Sequence, residues 1–408
     1  MQLLIRSVVF IILIFLVEFY FFKKLKKSVK NLFSKKPLPK FYTLTAAGYL
    51  NLYPVFLIIL WFYSAINHIP VSLPQNEIFN YLIIYPFWLT ILIVVQCDLF
   101  FLIIDLLKVI LYPFKYLKKK IFKFEPILIL CLTTVFVLYV PANVNYNYNS
   151  IQVRRVHYIN KDIPEELNNF RLVFISDIHA DQYADANRLE KYIKKVNNLH
   201  PDLVLVGGDF ISSTPDYIQT AAEYVGKIKS KYGIYSCVGD HDNWAYGNDY
   251  ERSLKAVETA LKDHNIEMIN NSAKVINIGR SKIKIVFITN TYVEHIKNST
   301  LDKLTSDTTK YNLKILLTHQ PRNNVVRSAA NMGFDLLLAG HTHGGQITFL
   351  FPFLNLTPTL LETKYIRGDF RIKNMLMIVT RGLGMSLVPL RYNSEPEITI
   401  INIRKNKI

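Results

Sequence analysis

The residues of this chain that are best suited to chemistry form five short clusters of aspartate, histidine and glycine. Each cluster directly follows a short apolar run of the kind that forms a buried strand. Mixed carboxylate and imidazole side chains suit Mn, Fe, Zn or Ni better than Mg or Ca. The clusters are Ser176-Asp177-Ile178-His179, Gly207-Gly208-Asp209, Gly239-Asp240-His241-Asp242, Thr318-His319-Gln320-Pro321 and Gly340-His341-Thr342-His343.

Each cluster taken alone has an ordinary structural explanation. Asp177 could cap a turn, His319 could be a buried structural histidine, and Gly239-Asp240 could form a simple turn. Five such clusters at five predicted strand ends make coincidence improbable. The sequence therefore predicts that the strands bring these side chains together at one metal site.

The elements that would position the clusters can be predicted from the pattern after Ile151, where short apolar runs alternate with amphipathic stretches. Strands that alternate with helices and then follow one another directly predict an α/β domain with packed sheets. The predicted strands are 171–176, 202–207, 233–238, 274–278, 283–288, 314–317, 335–339, 375–379 and 397–403, and the predicted helices are 186–199, 217–230, 250–264 and 324–332.

The N-terminal third has a different sequence pattern, with long apolar runs separated by lysine-rich loops. Four transmembrane helices are predicted, at residues 3–22, 44–63, 81–107 and about 126–144, because a helix needs roughly 20 apolar residues to cross a bilayer. A cleaved signal peptide is the alternative for the first run, but no small-residue cleavage site follows it. Residues 1–145 are thus predicted to be a membrane domain, and residues 151–408 a separate catalytic domain.

The distribution of charge predicts the orientation of this membrane domain. Of the net charge of +17, residues 1–150 contribute +10 and the remaining 258 residues only +7. Eight lysines lie within 23–40 and six within 108–123, whereas residues 64–80 contain none. By the positive-inside rule, the first and third loops are cytoplasmic, so the domain after residue 145 is expected outside the cytoplasmic membrane. The modest +7 gives no strong basic groove, so no nucleic-acid partner is expected.

The order of the clusters resembles that of the calcineurin-like metallophosphoesterase superfamily, whose pattern is D-x-H, GD, GN-H-D/E, H and G-H-x-H. The resemblance covers about Leu172 to Ile403. Three further segments are similar to a bacterial membrane-associated branch of the superfamily: Gly344-Gly345-Gln346, Thr380-Arg381-Gly382-Leu383-Gly384 and Pro396-Glu397-Ile398. The resemblance implies a four-layer αββα sandwich that binds two divalent metal ions.

The resemblance also implies a role for each residue of the clusters. Asp209 would bridge the two metal ions, and a hydroxide between them would attack the phosphorus. His241 would be the general acid near neutral pH, with Asp242 orienting it. Where the family has asparagine, this chain has Asp240. The first metal would be held by Asp177, His179, Asp209 and His343, and the second by Asp209, Asp240, His319 and His341.

Together these features predict a membrane-anchored, binuclear metal-dependent phosphoesterase. A site tethered near the bilayer favours a lipid-linked or cell-envelope phosphoester, and a phosphodiester rather than a monoester. Two alternatives stay open from the sequence. One is a transporter or sensor with a regulatory metal-binding domain, and the other is a nuclease.

Overall fold

The computed structural model describes residues 2–33, 40–67, 76–306 and 309–406. The chain divides into two compact units. One comprises Met1–Asn145 with Phe349–Asn355, and the other comprises Tyr146–Thr348 with Leu356–Ile408.

The first unit is helical. Among the described residues, two helical stretches are long and apolar enough to cross a membrane, Glu77–Ile110 and Lys115–Asn149. The pair Leu44–Leu50 and Leu52–Tyr63, bent by 54°, would make a third if it is one span. Its helices are α1 (Gln2–Phe33), α2 (Lys40–Leu50), α3 (Leu52–Asn67), α4 (Glu77–Phe79), α5 (Tyr85–Ile110), α6 (Lys115–Ile121) and α7 (Glu125–Asn149).

The predicted membrane helices all fall on these elements. The third and fourth predicted spans lie within the two long stretches, the second coincides with the bent pair, and the first lies within α1. The bend follows from Pro54, which has no backbone N–H and so cannot continue the hydrogen-bond ladder of α2 to Leu50. The count of four membrane helices stays a prediction.

An ionic network joins α1, α5 and α7 of this helical unit. Asp105 accepts a hydrogen bond from the Tyr20 hydroxyl at 2.8 Å, binds Lys24, and lies 3.3 Å from Lys108. Glu125 binds Lys108 and lies 3.4 Å from Lys24. Two cations and two anions thus neutralise one another within the helices.

A short hairpin from the C-terminal half of the chain packs with this helical unit. It consists of Phe349–Phe351 and Leu354–Leu356. The buried Gln96 donates to the Leu350 carbonyl at 2.8 Å and accepts from the Leu350 N–H at 2.9 Å. These two bonds satisfy a side chain that would otherwise be a buried polar group in an apolar helix.

The second unit contains two mixed six-stranded sheets. Its helices are α8 (Ala186–Asn197), α9 (Ile218–Gly226), α10 (Tyr250–Asp263), α11 (Asn298–Thr305) and α12 (Asn323–Asn331). The strands of the described residues are β1 (Gln152–Asn160), β2 (Phe170–Ile175), β3 (Leu203–Val206), β4 (Ile234–Ser236), β5 (Ile266–Met268), β6 (Ser272–Ile278), β7 (Ser281–Ile288), β8 (Leu313–Thr318), β9 (Leu336–Ala339), β10 (Phe349–Phe351), β11 (Leu354–Leu356), β12 (Gly368–Ile372), β13 (Met375–Val379) and β14 (Glu397–Lys405). The strand orders of the two sheets are β1-β14-β2-β3-β4-β5 and β12-β13-β9-β8-β7-β6.

Side-chain alternation along the strands stacks the unit in four layers. On β2, Leu172 and Phe174 face the other sheet, whereas Val173 and Ile175 pack against the helices α8, α9 and α10. On β9, Leu336 and Leu338 share the layer between the sheets, and Leu337 packs with α11 and α12. The sequence of a strand that is buried on both faces is a continuous apolar run. The predicted αββα sandwich is confirmed.

The sequence pattern did not predict the first strand, β1. Its sequence includes Arg154 and Arg155, so it lacks the continuous apolar run of the central strands. It pairs in parallel with β14 over nine residues at the edge of the first sheet. An edge strand is solvated on one side, so hydrophobicity alone signals it weakly.

Candidate metal centre

All five sequence clusters lie at the carboxyl ends of β2, β3, β4, β8 and β9, strands that run parallel within their sheets. The chain turns sharply after these strands, and five side chains of the clusters sit on residues in the left-handed backbone region. Non-glycine residues are uncommon there, and such strain concentrates at functional sites. These residues are Asp177 (φ 53°), His179 (φ 47°), Asp209 (φ 57°), His341 (φ 69°) and His343 (φ 50°).

The first residue of two clusters is a glycine that allows neighbouring loops to approach closely. A Cβ atom on Gly340 would lie 2.0 Å from Ser176 Oγ, and one on Gly239 would lie 2.2 Å from the backbone nitrogen of Asp209. No larger side chain fits at either position without moving a loop that carries a site residue.

The first group of potential ligands consists of Asp177, His179 and His343, all buried. The Nε2 atoms of His179 and His343 are 3.1 Å apart, and His343 Nε2 lies 3.7 Å from Asp177 Oδ1. Two imidazole nitrogens that face one another at this distance repel unless a proton or a cation lies between them. The donor set therefore fits a bound cation.

The second group consists of Asp240, His319 and His341. Asp240 Oδ2 lies 2.9 Å from His341 Nδ1 and 3.3 Å from His319 Nε2. Burial alone would lower the pKa of His341, but its hydrogen bonds to Asp240 and Glu362 raise this pKa to about 9. The raised pKa shows that the surrounding carboxylates favour positive charge at this point.

Asp209 lies between the two groups. Its Oδ2 atom is 3.4 Å from His179 Nε2 in the first group and 3.2 Å from His319 Nε2 in the second. One carboxylate within reach of both groups is what two neighbouring cations need to offset their repulsion. The structure thus brings all seven predicted metal ligands together, with the predicted bridging residue in the middle.

Asp240 uses both of its carboxylate oxygens. Oδ1 accepts the Tyr292 backbone N–H at 2.7 Å, and Oδ2 accepts from the Gln320 side-chain amide at 2.6 Å while facing the two histidines. An asparagine has only one oxygen, so its NH2 group would face either the Tyr292 N–H or the histidines. These contacts therefore favour aspartate over asparagine at position 240.

His241 lies beside the first group. Its ring centroid is 4.6 Å from that of His179, Nδ1 contacts the Ser212 carbonyl oxygen, and Nε2 is 3.2 Å from Ser386 Oγ. The Ser212 carbonyl can only accept a hydrogen bond, so Nδ1 carries the N–H in the neutral ring and Nε2 is the acceptor. Burial lowers the pKa of His241 to about 4, against the opposing charge of Asp209. The imidazolium form expected from the sequence near neutral pH therefore needs an anion, such as a phosphate, beside Nε2.

Asp242 does not have the position that orienting His241 would require. Its carboxylate accepts hydrogen bonds from the backbone N–H groups of Asp209, Phe210 and Gly239, at 2.8 to 3.0 Å. Ser212 orients His241 instead. Asp242 therefore holds the loops after β3 and β4 against one another, and its predicted role is corrected.

Sequence reasoning missed two residues next to the second group. Glu362 Oε1 is 2.9 Å from His341 Nε2 and accepts the Tyr292 hydroxyl at 2.6 Å. Both residues come from loops without a strand-end motif, so no sequence signal marked them. With Gln320, Pro321, Arg322, Asn323, His341 and Thr363, they line a cavity of about 360 Å³.

The seven candidate ligands lie within a segment that matches a known protein family. Residues 170–345 match the calcineurin-like phosphoesterase family. A transmembrane protein with a metallophosphoesterase domain from Danio rerio is 31% identical over 251 residues, which cover 60% of this chain and 55% of that protein. An uncharacterized metallophosphoesterase from Campylobacter jejuni is 28% identical over 287 residues, covering 68% and 69%. Another, from Bacillus subtilis, is 28% identical over 244 residues, covering 59% and 82%. The chain thus spans only about half of the Danio rerio protein.

Proposed function

We propose that the chain is a membrane-anchored, metal-dependent phosphohydrolase with a two-metal centre, because residues 170–345 match the calcineurin-like phosphoesterase family. The observation that carries the proposal is the position of Asp209 between two groups of ligands, each with an aspartate and two histidines. The metals are divalent ions that accept mixed nitrogen and oxygen ligands, such as Mn, Fe, Zn or Ni.

Two bound cations would neutralise phosphate charge and acidify an attacking water. The protein's own contribution is to place the ligands and to handle a proton. Ser212 fixes the ring of His241 so that Nε2 points away from the backbone. An anionic phosphate oxygen beside Nε2 favours the imidazolium form, and this form then gives its proton to the leaving oxygen.

We propose that the substrate is a phosphoester attached to a lipid or to the cell envelope, with phosphodiesters favoured over monoesters. Two almost fully exposed leucines support an apolar substrate, Leu361 at 95% and Leu387 at 94% of their accessible surface. Leu361 precedes Glu362, which contacts His341, and Leu387 follows Ser386, which contacts His241. Apolar side chains held in water next to a polar site are suited to contact acyl chains.

We further propose that the catalytic unit lies outside the cytoplasmic membrane. The lysine-rich segments 23–40 and 108–123 support this orientation. A reporter enzyme fused after Lys119 should report cytoplasm, and one fused after Asn149 should report the outside. A cytoplasmic signal after Asn149 would contradict the proposed orientation.

The activity is tested with the full chain, purified in detergent and loaded with one metal at a time. Bis-p-nitrophenyl phosphate, p-nitrophenyl phosphate and phospholipid-containing mixed micelles are the substrates, and Asp209→Asn is the control for contaminating enzymes. Metal-dependent hydrolysis that the control lacks, fastest on a diester, is expected. Stoichiometric metal binding without hydrolysis of any ester would favour a regulatory metal-binding domain, and preferred cleavage of nucleic acid would favour a nuclease.

A further inference from the structure

His341 is held between two carboxylates, one on each side of its ring. Nδ1 lies 2.9 Å from Asp240 Oδ2, and Nε2 lies 2.9 Å from Glu362 Oε1. Asp240 belongs to the second group of ligands, whereas Glu362 directly follows the short helical turn Pro358–Leu361 and belongs to neither group.

This arrangement determines which ring nitrogen can serve as a ligand. A neutral imidazole has one N–H and one lone pair, and an ionised carboxylate can only accept a hydrogen bond. When a cation takes the lone pair on the Asp240 side, the N–H must be on Nε2, where Glu362 accepts it. A carboxylate behind a ligating histidine fixes the ring's tautomer and orientation and makes its nitrogen a stronger donor.

Glu362 is itself held in place. The Tyr292 hydroxyl donates to Glu362 Oε1 at 2.6 Å, and the backbone N–H of Tyr292 donates to Asp240 Oδ1 at 2.7 Å. Tyr292 therefore positions both carboxylates that flank His341. The Tyr292 ring lies parallel to that of Trp244, with 6.5 Å between the ring centroids.

Glu362 is also accessible. Its side chain is 41% exposed and lines the cavity of about 360 Å³ beside His341. Replacing a partly exposed residue leaves the buried layers of the sandwich untouched, so such variants can be expected to fold.

We propose that Glu362 is a positioning residue that holds His341 with Nδ1 free for the second cation, and that Tyr292 supports it. The proposal rests on the proposed two-metal function, but it concerns binding of the second cation rather than turnover. Without Glu362, the His341 ring can rotate or carry its proton on Nδ1, so the second cation binds more weakly while the first is unaffected.

The test is a metal titration of the full chain in detergent with Mn²⁺ alone, by equilibrium dialysis with elemental analysis. Glu362→Ala should weaken the second binding step by about 10- to 100-fold and leave the first unchanged. Tyr292→Phe should shift the same step in the same direction by a smaller factor. Glu258→Gln, which alters an exposed glutamate of α10, is the matched control and should bind as the unaltered chain does.

Activity readouts separate this proposal from the proposed function. Excess Mn²⁺ should restore most of the kcat of Glu362→Ala, because the substitution lowers only the affinity for the second cation. Unchanged second-step binding in both Glu362→Ala and Tyr292→Phe would overturn the positioning role even if the unaltered chain hydrolyses esters. A weakened second step in a chain that hydrolyses no ester would support the positioning role and contradict the proposed function.

Discussion

The helical unit and the candidate metal centre balance the charge of their carboxylates in different ways. In the helical unit, Lys24 and Lys108 contact both Asp105 and Glu125, so the four charges neutralise one another. In the candidate metal centre, three buried aspartates face histidines. The pKa of His341, which burial alone would lower, is raised to about 9 by its hydrogen bonds to Asp240 and Glu362. The helical network therefore pairs its carboxylates with lysines, whereas the candidate metal centre pairs them with histidine protons that a bound cation can replace.

Removing the charge of Asp209 should have the largest effect, because this residue serves both groups of ligands. Asp209→Asn is expected to lose at least about 1,000-fold in kcat/KM, since two-metal catalysis needs the shared carboxylate. Elemental analysis should show less than two cations per chain. A variant that keeps both metals and full activity would show that Asp209 does not bridge them.

His241 separates metal binding from proton transfer. His241→Ala should lower kcat by about 100- to 10,000-fold, the usual contribution of general acid–base catalysis. Its metal content should stay at two per chain, because His241 is proposed to act on the leaving oxygen. His241 also forms a group with His179 and Asp209 that could hold a cation. Loss of a cation in this variant would therefore show that His241 is a metal ligand.

Asp240→Asn reduces the anionic charge of the second group without removing its bulk. The variant should stay active but need several-fold more free metal to saturate, because asparagine offers a neutral oxygen and cannot satisfy both Tyr292 and Gln320. Titrating activity against free Mn²⁺ measures the shift. A correctly folded but inactive variant would assign the carboxylate a catalytic role beyond metal binding.

The smallest effect on catalysis is expected in the helical network. Asp105→Asn should leave hydrolysis of a soluble ester unchanged, and it should lower the free energy of unfolding of the helical unit by about 1 kcal/mol, the scale of a partly exposed ion pair. Thermal unfolding in detergent measures the loss. A large drop in turnover would mean that the ionic network contributes to catalysis.

The clusters at the strand ends were easier to predict from the sequence than the contacts that support them. The clusters of candidate ligands were predictable because each follows a buried strand, and parallel strands end at one edge of a sheet. Which residue would serve which metal ion was implied by the resemblance alone. Strands that are apolar on both faces, such as β2 and β9, allowed an α/β domain with packed sheets to be predicted. The αββα order of the layers was implied by the resemblance to the phosphoesterase family.

The supporting contacts were not predictable, because they come from loops whose paths only the folded chain determines. Glu362 and Tyr292 carry no local pattern that distinguishes them from surface residues. Asp242 matched a motif position, but its bonds to backbone N–H groups depend on how the loops after β3 and β4 meet. Likewise, the hairpin Phe349–Phe351 and Leu354–Leu356 meets Gln96, which is 254 positions from Leu350 in the sequence.

Hydrolysis should depend on a two-metal centre formed by the buried aspartates and histidines. The test is to count the metal ions bound to the full chain before and after chelation while hydrolysis of bis-p-nitrophenyl phosphate is measured on the same samples. Two divalent cations per chain are expected, with loss of activity on their removal and recovery when Mn²⁺ or Zn²⁺ is added back. Full hydrolysis by a chain shown to be free of metal would contradict this dependence.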